Sequence, residues 1–153
     1  MIDDLKNLSE DERTLMYRVP LLVVVLIAGA DGVIDKREIQ EALNIAQIKT
    51  KKARQSLLEF YREVAVDFDI HLASYIRSAP SGVKERNEVI IAELSKLNTI
   101  LPKINKVWAS QFYASIRDLA KKIANASGGV LGYLAVGFEE SKLIGLSMIK
   151  DPS

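Results

Sequence analysis

Three carboxylates within one short segment are the residues best suited to chemistry in this sequence. Asp31, Asp35 and Glu38 lie in the segment AGADGVIDKREIQEAL, directly after the most apolar run of the chain. Carboxylate oxygens are the ligands that hard cations such as calcium and magnesium prefer. The segment therefore predicts a divalent-cation site built on Asp31, Asp35 and Glu38.

The segment matches the second half of a helix–loop–helix calcium site. With Asp31 at the fifth position of such a loop, Glu38 falls at the twelfth, where a carboxylate ligand is expected. The first and third positions fall on Ile27 and Gly29, whose side chains cannot bind a cation. Main-chain carbonyls, water or acids distant in sequence would have to complete the coordination shell.

A purely structural interpretation explains the same spacing. Asp31-Gly32 is typical of a turn, and Asp35 followed by Glu38 is typical of a helix N-cap with its capping box. Both interpretations remain open from these residues alone.

The elements around this segment are predicted to be helical. Leu21 to Ala30 is too short to span a membrane, so it predicts a helix buried in a core. Ser9 and Glu12 form a capping box, which places an earlier helix start at about Glu10. Pro20 predicts either a kink in one long helix or a break between two helices, and we favour a break, with the proline in the first turn of the buried helix.

Apolar residues at helical spacing continue through the rest of the chain, on stripes that include Tyr61 and Trp108, and alternation typical of strands is almost absent. One core is expected to bury Leu22, Val25, Leu26, Trp108 and Ile116. A short amphipathic helix is predicted from near Lys36, and Thr50 is the candidate cap of the next helix. A further helix after Asp67 or Asp69, or an extension of the preceding one, fits Leu72 and its neighbours. Breaks are predicted at residues 79–82 and 127–129, with a helix start at Leu101-Pro102. A final helix is expected on Phe138, Leu143, Ile144 and Met148. These patterns predict an all-α fold, a single compact multi-helix bundle over residues 1–153.

Two segments together resemble the TerB-like family, which is associated with bacterial tellurite resistance. These are AGADGVIDKREIQEAL after an apolar helix and ASGGVLGYLAVGFEE at residues 126–140. The resemblance implies a helical bundle with pseudo-duplicated halves and, in some members, divalent-cation binding by clustered acids. By position those acids are Asp31, Asp35 and Glu38. The second half lacks a corresponding Asp-Gly loop, and Glu139 and Glu140 are the candidate ligands it offers.

The composition and charge of the chain limit the classes of function that it can have. A net charge of +1 gives no general attraction for nucleic acid, and the basic cluster at residues 49–54 is short and lacks aromatic residues between its charges. The absence of cysteine excludes disulfides and thiolate chemistry, and the acidic start lacks the features of a secretory signal. We therefore expect a cytoplasmic protein that binds no nucleic acid.

The sequence predicts a non-enzymatic TerB-like module that binds calcium or magnesium and a protein partner, in a stress-response complex of the tellurite-resistance type. The alternative is a helical protein-interaction or membrane-peripheral scaffold without metal, with contacts through the basic cluster and the glycine-rich segment. An enzyme is the third hypothesis. It would need a pocket around paired carboxylates, or around His71, the single histidine, for acid–base chemistry.

Overall fold

The computed structural model describes residues 2–28, 55–126 and 143–153, and the part of the chain it describes contains helices and turns but no strand. The predicted all-α fold is confirmed. The α-helices are α1 (Glu10–Ala28), α2 (Gln55–Ala65), α3 (Phe68–Ser78), α4 (Val83–Ser95), α5 (Leu97–Ile100) and α6 (Lys106–Ala126), and short 3-10 turns occupy Asp3–Leu5 and Leu101–Lys103.

Helix α1 is the central element, and it runs without interruption through Pro20. The predicted break at Pro20 is wrong, although the predicted burial is confirmed, because every residue from Val19 to Ala28 is buried. A helix that is apolar on all sides must be surrounded by protein or lipid. None of the described helices combines the length and apolarity needed to cross a bilayer.

The other helices enclose α1. Helix α6 packs along it most extensively, and α4 and α2 cover further sides. The side chains expected in the core are fully buried in one hydrophobic cluster: Leu22, Val25, Leu26, Trp108 and Ile116. Burial on all sides holds α1 in a fixed position relative to α6.

A left-handed residue separates α2 from α3. Asp67 has φ 55° and ψ 25°, and α3 begins at the next residue. Aspartate tolerates this conformation better than most residues with a side chain. The segment containing Leu72 is therefore a separate helix, the first of the two predicted alternatives.

The connection from α4 to α6 differs from the prediction. The break at residues 79–82 is present, but Leu101-Pro102 forms a 3-10 turn rather than the start of α6. The Asn105 side chain accepts hydrogen bonds from the amides of Val107 and Trp108, at 3.0 and 3.1 Å. Asn105 is therefore the N-cap that starts α6.

The segment 143–153 turns instead of continuing a helix. Leu143 and Ile144 are helical, but Leu146 has φ 51° and Met148 lies in a turn. The predicted extension of a helix to Met148 is therefore wrong. The predicted helix near Lys36, the cap at Thr50 and the glycine helix end at residues 128–129 lie outside the described residues.

Candidate functional site

The five predicted metal ligands, Asp31, Asp35, Glu38, Glu139 and Glu140, lie outside the described residues. The structure does describe the element that precedes the first three. Ile27 and Ala28 at the described end of α1 are 7% and 1% exposed, and Asp31 follows three residues later in the sequence. The acidic segment thus starts from a helix that the core holds in place.

Within residues 2–28, 55–126 and 143–153, no group of three or more histidine or acidic side chains is arranged to hold a metal ion. His71, the histidine considered for acid–base chemistry, is exposed on α3. The nearby Asp67 makes no side-chain cap bond to α3. His71 and its neighbours Asp69 and Ile70 are exposed to solvent, whereas Leu72 is buried in the core.

Four aromatic side chains form the most distinctive cluster of the described core. Phe60 lies at its centre, with Tyr17 of α1 stacked on it at 5.0 Å between ring centroids. Trp108 and Phe112 of α6 meet Phe60 edge-on at 5.7 and 5.5 Å, and they stack on each other. Edge-to-face and offset pairs add to the energy of burial. This aromatic cluster joins α1, α2 and α6.

A buried hydroxyl pair lies beside the aromatic cluster. The Tyr61 and Ser115 oxygens are 2.5 Å apart, and the Ser115 hydroxyl donates to the Phe112 carbonyl at 2.7 Å. Since serine has one hydroxyl proton, Tyr61 is the donor to Ser115. Burial raises the pKa of Tyr61. With its proton bonded to a main-chain carbonyl, Ser115 is arranged to support the core and not to act as a nucleophile.

Charged residues of α1 and α4 lie near enough to Tyr75 of α3 to affect its pKa. Arg86 is 8% exposed, and it lies in register with Ile90 and Leu94 on the buried face of α4. Burial raises the pKa of Tyr75, while the positive charges of Arg18 and Arg86 oppose that rise. Sequence reasoning missed Arg86. The signal was a charged residue four and eight positions before two core residues of the same helical stripe.

Two large apolar side chains are exposed at the corner between α2 and α3. Val66 and Ile70 are 64% and 65% exposed, and both flank the left-handed Asp67. Single exposed apolar residues are ordinary on protein surfaces. Here two lie within one turn of chain, so the corner offers a small apolar surface.

Comparison of the chain with models of known families, with curated proteins and with solved structures finds no match. The TerB-like resemblance and the pseudo-duplication it implies therefore stay predictions.

Proposed function

We propose that this chain is a non-catalytic helical module of the TerB-like type that binds a divalent cation through Asp31, Asp35 and Glu38. The observation that carries the proposal is the burial of α1 through Ala28, which gives the acidic segment a fixed starting point. Glu139 and Glu140 are the candidates for completing the site. Following the resemblance, we place the module in the cytoplasm, in a stress-response complex with a protein partner.

The charge of the segment supports a cation as the ligand. Three carboxylates near one another repel unless a cation or hydrogen-bond donors compensate them. Asp35 and Glu38 can use helix amides as donors if a helix starts there, but Asp31 precedes that start. A hard cation with oxygen ligands, calcium or magnesium, fits this donor set best.

Isothermal titration calorimetry tests the proposal. Wild-type protein titrated with calcium or magnesium to millimolar concentration should give binding heat, and Asp31→Asn and Glu38→Gln should remove it. Asp3→Asn is the matched control, because Asp3 is exposed in the first 3-10 turn, outside the acidic segment. If wild type gives neither heat nor a thermal shift with either cation, the three acids are structural caps and the cation proposal is wrong.

A membrane-peripheral scaffold is the second candidate, favoured by the exposed corner of Val66 and Ile70. Under this proposal the corner inserts shallowly at a bilayer surface, and the basic cluster at residues 49–54 attracts anionic lipid. Protein should then float with vesicles of phosphatidylcholine and phosphatidylserine, and Val66→Ser with Ile70→Ser should abolish flotation. Val107→Ser is the control, because Val107 is 55% exposed on α6. Equal loss in the control, or no flotation of wild type, would reject the scaffold.

A further inference from the structure

The side chain of Asn98 in α5 forms hydrogen bonds with main-chain groups of a segment that is distant in sequence. Its side-chain amide donates to the Met148 carbonyl at 2.9 Å and accepts from the Lys150 amide at 2.8 Å. The Asn98 side chain thus binds the carbonyl of one residue and the amide of the next residue but one, which is the pattern that the main chain of a neighbouring strand would form. Residues 146–150, named here the 146–150 strap, are thereby fixed against α5.

Apolar contacts supplement the asparagine bonds. Leu146 is fully buried and Ile149 is 2% exposed, and both belong to the common hydrophobic cluster. The residues beside them, Ser147 and Lys150, are exposed. The strap therefore covers part of the core with two side chains and remains in contact with solvent along its outer side.

The backbone of the strap is strained. Leu146 adopts φ 51°, a left-handed conformation that residues with a branched side chain rarely occupy. Such residues persist where surrounding contacts impose the conformation, and they are frequent in segments that switch. The Leu146 amide donates to the Leu143 carbonyl and the Ile149 amide donates to the Leu146 carbonyl, so both bonds belong to local turns.

We propose that the 146–150 strap is a releasable element, which opens as a unit while α1 and α6 stay folded. Opening uncovers the core surface beneath Leu146 and Ile149 and frees the Asn98 amide. The contrast with α1 supports this inference: α1 is enclosed by three helices over ten consecutive buried residues. Elements with few buried contacts and strained backbone open at lower free energy than a central helix.

Amide hydrogen exchange followed by NMR on the full chain tests the strap. In Asn98→Ala, exchange at the Leu146 and Ile149 amides should rise together by roughly tenfold or more, the factor expected from losing two hydrogen bonds. Lys150 loses its own acceptor in this variant, so its rise is expected in any case. Amides of α1 and α6 should keep their wild-type rates.

Asn105→Ala is the matched control, because it also removes two hydrogen bonds from an asparagine side chain to main-chain amides. It should raise exchange in the first turn of α6 and leave the strap unchanged. Ile149→Ala removes most of one of the two buried apolar side chains of the strap, and it should raise exchange at the Leu146 amide. If both strap variants leave Leu146 unchanged, or if α1 exchanges faster by the same factor, the strap is no separate unit and the inference is wrong.

Discussion

The Tyr61–Ser115 pair allows a double-mutant cycle whose outcome follows from the direction of its hydrogen bonds. Tyr61 is 1% exposed and donates to Ser115, which in turn donates to the Phe112 carbonyl. Ser115→Ala leaves the tyrosine hydroxyl buried without its acceptor. Leaving a buried donor unsatisfied costs about 1–3 kcal/mol of unfolding free energy.

Removing the donor instead of the acceptor should cost less unfolding free energy. Tyr61→Phe removes the donor but leaves the Ser115 hydroxyl bonded to the Phe112 carbonyl. We expect a loss of about 0.5–1.5 kcal/mol, the net value of an ordinary hydrogen bond. In the double variant no orphaned hydroxyl remains, so Ser115→Ala should cost only a few tenths of a kcal/mol in the phenylalanine background. The coupling energy between the two sites should be about 1 kcal/mol.

Urea unfolding measured by tryptophan fluorescence provides the assay. Trp108 is the single tryptophan, is fully buried, and lies in the same core as the pair. Equal m values across the four proteins would show that the same transition is compared. Ser110→Ala, on the same helix, controls for the higher helix propensity of alanine. Additive single changes, or Ser115→Ala costing no more than Tyr61→Phe, would refute the assigned bond direction.

Three further predictions test the core, the α2–α3 corner and a surface ion pair. Leu26→Ala should lower the free energy of unfolding by about 2–5 kcal/mol, because Leu26 is fully buried in α1 and its loss leaves a cavity. At Asp67, with φ 55°, a change to Val should cost on the order of 1–3 kcal/mol, whereas a change to Gly should be tolerated. The Lys103 side chain donates to the Glu12 carboxylate at 2.7 Å, and this bond lowers the Glu12 pKa in the folded state. The pair therefore contributes stability at pH values above the usual glutamate pKa. That stability is lost as pH falls through the lowered folded-state pKa. Lys103→Met should therefore reduce the loss of stability on acidification.

Each of these predictions has a plain contradicting result in denaturant titrations. An unchanged midpoint for Leu26→Ala would mean that α1 is not packed in the core. Equal stability of the Asp67→Val and Asp67→Gly proteins would mean that the left-handed conformation is not needed. Parallel acid profiles of wild type and Lys103→Met, measured at low salt, would mean that the ion pair contributes no pH dependence.

Features that depend on residues close in sequence were predictable. The capping box is present: the Ser9 amide donates to the Glu12 carboxylate at 2.9 Å, and the Glu12 amide donates to the Ser9 hydroxyl at 3.1 Å. Its two members are three residues apart, so the pattern contains the whole motif. The apolar stripes likewise identified core residues such as Trp108, because burial follows helical spacing.

Features that join distant segments were not predictable. Tyr61 and Ser115 are 54 residues apart, and Lys103 and Glu12 are 91 residues apart. Tyr61 was correctly placed on an apolar stripe, but no pattern in one sequence indicates which hydroxyl receives its proton. The same limit applies to the candidate cation site. Asp31 to Glu38 is a local motif, whereas a contribution from Glu139 depends on how the two halves of the chain meet.

The prediction at Pro20 is wrong because it weighed only the local cost of the proline and not the free energy gained by burial along the whole helix. A proline inside a helix removes the amide that would bond the carbonyl four residues earlier, here that of Met16, and costs about 3 kcal/mol. Each large apolar side chain that the core buries contributes roughly 1.5–3 kcal/mol, and one continuous helix buries Met16 and Val19 before the proline together with Leu21 to Ile27 after it. Several such contributions exceed the proline's cost, so one helix continues where local pattern predicts two. That continuity carries the chain about 28 Å from the capped start at Glu10 to Ala28. The acidic segment thus follows an element anchored at one end by the capping box and along its length by the core.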